Sequence, residues 1–378
     1  MFWKLSQLLD DSMIERLYVH NFRCFDNFSI DLADHSSALI IGKNGVGKST
    51  FLNALAIFQS ICRGSGRVGD LIEKSDFSQE RTNIPMRFEI DLKLANDRFK
   101  YAISFGFPDR FHEARVEEER LSINGTDIFS RKQAEVSLDA GPTFGLDWHV
   151  PALPVIEYHF WQHQLQQVKS FFTSLILIAP IPANMSGFSE EESVELRRDA
   201  SNFSSWFNAL LSRYPAAYSD LYDYLKHTIP DLSSFENVPR GEKGKQLLVK
   251  FKRDDSKRSL QLEFNQLSDG EKCYFLSALI FAASKVSGPV VCVWDEPDNH
   301  LSLQEVGQFT TQLRKMTSQN GQLLVMSHHP ETIRKFSDET TFVFSRKSHS
   351  EPTVVQKLAD LPYKGDLIEA IVRDEIIG

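Results

Sequence analysis

No stretch of this sequence is apolar for long enough to cross a membrane; the longest apolar runs are cut by polar residues or proline. Cysteine is sparse. Cys24, Cys62, Cys273 and Cys292 lie far apart and form no CxxC, which argues against a zinc module or a disulfide framework. A reducing cytoplasm is the compartment that fits such usage. The start, Met1-Phe2-Trp3-Lys4, lacks the charged-then-apolar order of a secretory signal. Positive charge is also in short supply. A formal net charge of −9 excludes a general polyanion binder, though not a local basic groove. Internal repeats and sustained heptads are absent, so no long coiled-coil arm is expected. No Ser-His-Asp or Cys-His arrangement stands out.

What is present is the composition of a globular protein. The chain has 378 residues, 42% hydrophobic and 25% charged, enough for a sizeable core and two lobes. Most of its 29 phenylalanines belong in that core. Alternation predicts strands over Ile14–Asn21 and Phe28–Leu32, and a hairpin from Arg87–Leu94 and Phe99–Phe105. β character continues over Glu113–Ile123 to an Asn124-Gly125 turn. Residues 64–86 read as a surface loop. From 156 to 236 the pattern is mostly helical, interrupted by Pro180 and Pro182. A second hairpin, Gln246–Lys252 with Ser259–Phe264, precedes a strong helix at Glu271–Val286. Continuous apolar runs at Ala38–Ile41, Val290–Trp294 and Gln322–Met326 predict buried strands, with Thr341–Ser345 a further one. Helices are expected at Phe51–Cys62, Leu301–Met316 and Gly365–Ile377.

Two motifs carry chemistry. Gly42 to Ser49 reads G-x-x-x-x-G-K-S between an apolar strand and an amphipathic helix, the context this phosphate-binding loop requires. Its glycines, Gly42, Gly45 and Gly47, let backbone N–H groups, Asn44 among them, turn inward around phosphate oxygens. The following helix adds its dipole. Lys48 is placed for the β- and γ-phosphates, and Ser49 for Mg²⁺, with Thr50 beside it. The chain is therefore expected to bind and hydrolyse ATP with Mg²⁺. The second motif is the apolar strand that ends in Asp295-Glu296. Adjacent side chains at a strand end diverge, so the two acids can have separate roles. Asp295 suits the metal and Glu296 the attacking water.

Together with these, Leu17 to Phe25 (LYVHNFRCF), Leu267 to Lys272 (LSDGEK), Asp295 to Leu301 (DEPDNHL) and Ser327 to Pro330 (SHHP) resemble the ATP-binding-cassette superfamily in its RecF and chromosome-maintenance branch. Within it, the chain most resembles the stand-alone bacterial ATPases related to the ATPase part of overcoming-lysogenization-defect nucleases. The resemblance spans residues 17 to 330. It implies an α/β P-loop NTPase head: a mixed β-sheet, an antiparallel β layer and an inserted helical lobe. The expected division is an extension (1–12), an N-terminal ATPase part (13–155), the helical lobe (156–240), a C-terminal ATPase part (241–350) and a tail (351–378). It implies that Ser268 and Gly270 act as the signature that meets the γ-phosphate held by a second subunit. Ser268-x-x-Glu271 is equally an ordinary capping box, and the two readings are compatible. Asp269 departs from the family glycine and is not assigned to the nucleotide. The resemblance further implies that His328, rather than His329, is the switch histidine, that Asn299 to Ser302 cross the dimer interface, and that Arg23 lies near the nucleotide. Among Gln162, Gln164, Gln166 and Gln167 the spacing does not choose a metal-linking glutamine.

A head-to-tail homodimer, or a higher even-numbered oligomer, follows from the resemblance. The chain after Pro330 is too short for the metal-dependent nuclease domain of related proteins. The expected output is therefore control of a separate effector encoded nearby, a nuclease or toxin in bacterial defence against phage. The alternative is a RecF-like DNA-end-binding ATPase. It draws on residues 240–258, where eight cations (Arg240, Lys243, Lys245, Lys250, Lys252, Arg253, Lys257, Arg258) face three acids. No membrane partner is expected. His159 and His163, four apart, read as ordinary packing or surface residues rather than a metal pair.

Overall fold

The computed structural model describes residues 12–64, 66–108, 111–252, 259–317, 321–362 and 367–372. The expected extension 1–12 therefore lies, Ser12 apart, outside the described residues. So do Arg253, Lys257 and Arg258, and much of the expected helix Gly365–Ile377.

Three sheets organise the chain. The nucleotide-side sheet has six strands in the order Ile176–Ile178, Val291–Asp295, Gln322–Met326, Ser37–Ile41, Thr341–Ser345 and Val354–Lys357. The first five run parallel and the last is antiparallel. Its strands are apolar throughout because both faces are covered. Ala38 and Ile40 pack into one hydrophobic body, while Leu39 and Ile41, their neighbours in sequence, pack into another. An eight-stranded antiparallel sheet, running from Phe28–Asp31 and Met13–His20 through Met86–Leu94 to Thr143–Gly145, covers the first face together with the helices Lys48–Arg63 and Gln162–Ser174. The second face lies under the helices Phe203–Arg213, Ala217–Thr228, Asp269–Ser287 and Leu303–Thr317, and under a four-stranded sheet built around Gly244–Lys252. The mixed sheet and the antiparallel layer are thus as the sequence implied.

Several expectations need correction. Residues 64–86 are not simply a surface loop. Val68, Ile72 and Phe77 are fully buried, and Phe77 bridges Phe22, because short 3₁₀ turns fold this polar segment back onto the antiparallel sheet. The stretch 156–240, expected to be helical, also holds Ile176–Ile178 in the parallel sheet and Leu232–Arg240 in the four-stranded one. The three-residue strand is too short to show a period, and its apolar run matches the end of a buried helix equally well. Residues 126–155, whose pattern is hard to read in the sequence, supply three strands of the antiparallel sheet, Thr126–Lys132, Glu135–Leu138 and Thr143–Gly145. The segment that follows that sheet is pinned to it by Glu119, wholly buried, whose carboxylate accepts from Ala152 N (2.6 Å), Leu153 N (2.8 Å) and Tyr101 Oη (2.9 Å). Burial holds that carboxyl above the usual range, against the pull of those donors and of Arg131.

Candidate active site

The carboxyl ends of the parallel strands share one edge, so the turns after Ile41, Asp295, Met326 and Ser345 converge there. In open α/β sheets this edge is where ligands bind. A cleft of about 480 Å³ opens at it, lined by Arg23, Asn44, Gly45, Gly47, Lys48, Ser49, Thr50, Asp295 and Glu296, with Cys24 and Arg346.

The loop from Gly42 to Gly47 leads straight into the helix Lys48–Arg63. Gly47 has φ 106°, and a Cβ there would stand 2.7 Å from Phe25 Cε1 and 2.8 Å from Cys24 Sγ. Glycine is therefore required twice, by backbone conformation and by close approach. The Lys48 ammonium curls over the loop and donates to the carbonyls of Gly42 (2.7 Å) and Lys43 (3.2 Å). Burial pulls its pKa below the ordinary lysine value, and the charges of Glu296 and Asp295 partly offset this. The Cys24 thiol donates to Thr50 Oγ1, 3.5 Å away.

Ser49 Oγ donates to Asp295 Oδ2 at 3.3 Å, although the two are 246 positions apart in the chain. Burial first, then the neighbouring Glu296 charge, holds the Asp295 carboxyl above the usual range, while Lys48, Ser49 and Arg198 pull it back. A hydroxyl and a desolvated carboxylate side by side are the hard oxygen donors that suit Mg²⁺. The residues present fit that metal, and the glycine loop fits a phosphate chain.

Glu296 turns the chain with φ 50°, unusual for a non-glycine residue. The turn is held by its own N–H donating to Met326 O (2.8 Å). Glu296 Oε1 lies 3.2 Å from His328 Nδ1, and Asn299 Nδ2 donates to the other oxygen. His328 is 60% exposed. His329 plays a different part, since its Nδ1 accepts from Glu331 N (3.2 Å) and so caps the helix Pro330–Ile333. Behind Glu296 lies Asp298, which sequence reasoning did not single out. It is 2% exposed, and its Oδ2 accepts from Ser327 Oγ (2.5 Å) and from Thr332 Oγ1. Ser327 Oγ accepts in turn from His329 N (2.9 Å), so one carboxylate ties the Asp295-Glu296 turn to the histidine turn.

Ser268 and Gly270 do not line this cleft. Ser268 forms the capping box of the helix Asp269–Ser287. Its Oγ accepts from Glu271 N (3.3 Å), while Glu271 Oε2 accepts from Ser268 N and Oγ, both at 2.8 Å. Gly270 packs against the turn that follows Asn299; a Cβ would meet His300 O at 2.9 Å. Asp269 faces Lys272 and His300, at 3.9 and 3.7 Å. Arg23 lines the cleft with φ 52° and pairs with Asp76 at 2.9 Å. None of Gln162, Gln164, Gln166 and Gln167 lines it; all four lie on the helix Gln162–Ser174. Sequence reasoning also missed Arg346, and Arg198. The Arg198 guanidinium donates to Asn53, one helical turn beyond Ser49, and its positive charge acts on Asp295. In 240–258, Arg240, Lys245 and Lys250 pair with Glu263, Glu192 and Glu236. Among the described residues no group of three or more His, Cys, Asp or Glu forms a further metal centre, and no helix is long and apolar enough to cross a membrane.

Comparison with known proteins agrees with this geometry. Two solved structures show the same fold. One is a chromosome-maintenance (Smc) head bound to the C-winged helix domain of ScpA, at TM-score 0.55 and 16% identity over 91% of this chain and 98% of that one. The other is the Smc head of Pyrococcus furiosus with an extended coiled coil, bound to the C-terminal domain of ScpA, at TM-score 0.56 and 13% identity over 97% and 99%. Among curated proteins, the xylose/arabinose import ATP-binding protein XacK of Haloferax volcanii is 27% identical over 118 residues, 30% of this chain and 30% of that protein. An uncharacterized protein encoded in the 3′ region of the ATPase CF(0) subunits of Rhodospirillum rubrum is 31% identical over 105 residues, 28% of this chain and 58% of that protein. The chain spans less than two thirds of the length of both relatives. A family model described as "AAA domain, putative AbiEii toxin, Type IV TA system" matches residues 37–334, from the phosphate-loop strand past the histidine turn. The chain thus belongs to that family, with the fold of an ABC-type, Smc-head-like P-loop ATPase.

Proposed function

We propose that the chain hydrolyses ATP and works as a dimeric, nucleotide-dependent switch on a separate effector. The observation that carries this reading is the convergence at one sheet edge of the phosphate loop, Asp295, Glu296 and His328, with Ser49 and Asp295 in hydrogen-bond contact. Ser49 and Asp295 would hold Mg²⁺, which supplies charge neutralisation on the phosphates. Lys48 and the loop N–H groups bind the phosphate chain and fix its direction. Glu296, held by Asn299 and facing His328, orients a water and takes its proton. His328, beside it, is positioned for the terminal phosphate.

The cleft is built from one side. Ser268 and Gly270 are displayed elsewhere, at the N-terminus of a 19-residue helix whose positive dipole end suits an anion. This supports a head-to-tail homodimer in which each signature closes the partner's cleft. The family description, a putative toxin of a toxin–antitoxin system, supports an output in bacterial conflict such as defence against phage, through a nuclease or toxin acting as the effector. The DNA-binding reading is weaker, because Arg240, Lys245 and Lys250 are each engaged by a carboxylate.

Glu296→Gln tests the reading. We expect ATP turnover to fall by about 10²–10⁴-fold with ATP binding retained. The variant should run as a dimer with ATP and Mg²⁺ in sedimentation, and adding Ser268→Arg should return it to monomer. Unchanged turnover in Glu296→Gln rejects the catalytic assignment, and a nucleotide-independent oligomeric state rejects the switch.

A further inference from the structure

The strand Thr341–Ser345 delivers Arg346 to the cleft from the side opposite the metal-holding acids. In the sheet order the phosphate-loop strand Ser37–Ile41 lies between it and the strands Gln322–Met326 and Val291–Asp295. Arg346 opens a turn that is fixed at several points. Thr353 Oγ1 donates to Val46 O (2.7 Å) in the phosphate loop, and Thr353 N donates to Cys24 O (2.9 Å). Gln79 Nε2 donates to Ser350 O (2.7 Å). The guanidinium itself is anchored by donation to backbone carbonyls, Nε to Glu351 O (2.6 Å) and one terminal nitrogen to His349 O.

Those partners are neutral. Among the described residues no carboxylate lies within ion-pair distance of Arg346, although the chain as a whole is acidic. A guanidinium has five N–H donors, and two carbonyls leave donors over. A partly buried guanidinium, anchored on the wall of a phosphate cleft with donors to spare, is placed to bind an anion.

We propose that Arg346 is that anion's second anchor: it binds the nucleotide at its nucleoside end, on the α-phosphate, while Lys48 and the Ser49–Asp295 pair serve the far end. The inference rests on the nucleotide reading of the cleft. Its consequence is an affinity term common to the di- and triphosphate. Arg346 holds the nucleotide through hydrolysis, whereas groups on the Asp295 side distinguish ATP from ADP. The preformed turn loses little freedom on binding, so the contact is pre-organised.

The test is titration of the full chain with fluorescent ATP and ADP analogues, for wild type, Arg346→Gln, Arg346→Lys and Lys48→Ala. Arg346→Gln keeps a donor for the carbonyl anchors but removes the charge. It should raise the Kd for ATP and for ADP by a similar factor, about 10-fold or more, at an unchanged melting temperature. Arg346→Lys should recover part of the loss for both nucleotides, because charge returns without the fork. If Arg346→Gln does not fold, the ATP and ADP constants of Arg346→Lys give the same comparison. Wild-type affinity for both nucleotides in Arg346→Gln overturns the inference, as does a loss confined to ATP. Failure of the wild type itself to bind either nucleotide would instead overturn the function proposed for the cleft.

Discussion

Removal of the Asp298 carboxylate probes the join between the two catalytic turns. Its Oδ2 receives two hydroxyl donors, Ser327 and Thr332, in a site that is 2% exposed. Hydrogen bonds to a charged acceptor contribute about 1.5–3 kcal/mol each, so the pair amounts to about 3–6 kcal/mol. Oδ1 is buried without a partner, and that opposes the gain by about 1–3 kcal/mol. Asp298→Ala relieves the second term while losing the first, and leaves two hydroxyls to find new acceptors. The expected destabilisation is about 2–4 kcal/mol, read from the urea midpoint at constant slope. The effect on turnover should be distinct from that on binding. Ser327 Oγ, once released, no longer fixes the backbone N–H of His329 beside His328. A displacement of about 1 Å at a catalytic group costs up to about 10²-fold, so kcat should fall by about 10–100-fold. Asp298 does not line the cleft, so ATP affinity should stay within about twofold on the same argument. A destabilisation below about 1 kcal/mol refutes the energetic argument. A drop in ATP affinity that tracks kcat refutes the claim that Asp298 acts through the histidine turn.

Two further outcomes follow from the site. Asp295 is held above the usual carboxylate range by burial and by Glu296, so its charged form is disfavoured in the folded, nucleotide-free protein. A raised folded value helps stability below the unfolded pKa, about 3.9, and that help is lost as pH rises through the folded value. Asp295→Asn should therefore raise the melting temperature of the nucleotide-free chain at pH 7, with the advantage shrinking as pH approaches 4, while abolishing Mg²⁺-dependent stabilisation by ATP; an unchanged melting temperature at pH 7 rejects the pKa direction. Gly47→Ala combines a positive φ with contacts of 2.7 and 2.8 Å to Phe25 and Cys24. It should cost about 2–5 kcal/mol from left-handed strain and overpacking together and weaken ATP binding, measured by denaturant unfolding and by titration.

Sequence legibility follows the physics of each element. The parallel strands are readable because both of their faces are buried, which leaves uninterrupted apolar runs at Ala38–Ile41 and Gln322–Met326. Lys48, Ser49, Asp295 and Glu296 are readable because the chemistry fixes residue type at fixed offsets. Asp298 and Arg346 are not, because their significance depends on distant partners. Asp298 matters through Ser327 and Thr332, and Arg346 through the sheet order that sets its strand beside the phosphate loop. Ile176–Ile178 is lost in a helical stretch because three residues carry no period. Phe77 is hidden by the polarity of its neighbours. A surface reading of 64–86 weighs average composition, whereas one aromatic on a tight turn is enough to anchor such a segment.

The division of the central sheet between two hydrophobic bodies has a consequence for how substitutions combine. Ile40 and Ile41 are covalent neighbours, yet they contribute to packing on opposite faces. Ile40 shares its face with Phe342, its register partner on the next strand, and Ile41 shares the other with Val343. In a double-mutant cycle the adjacent pair should add like strangers, while the cross-strand pairs should couple. Each half of the protein can then be repacked under its own rules, with a single layer of backbone as the boundary between them and the nucleotide cleft at that boundary's open edge.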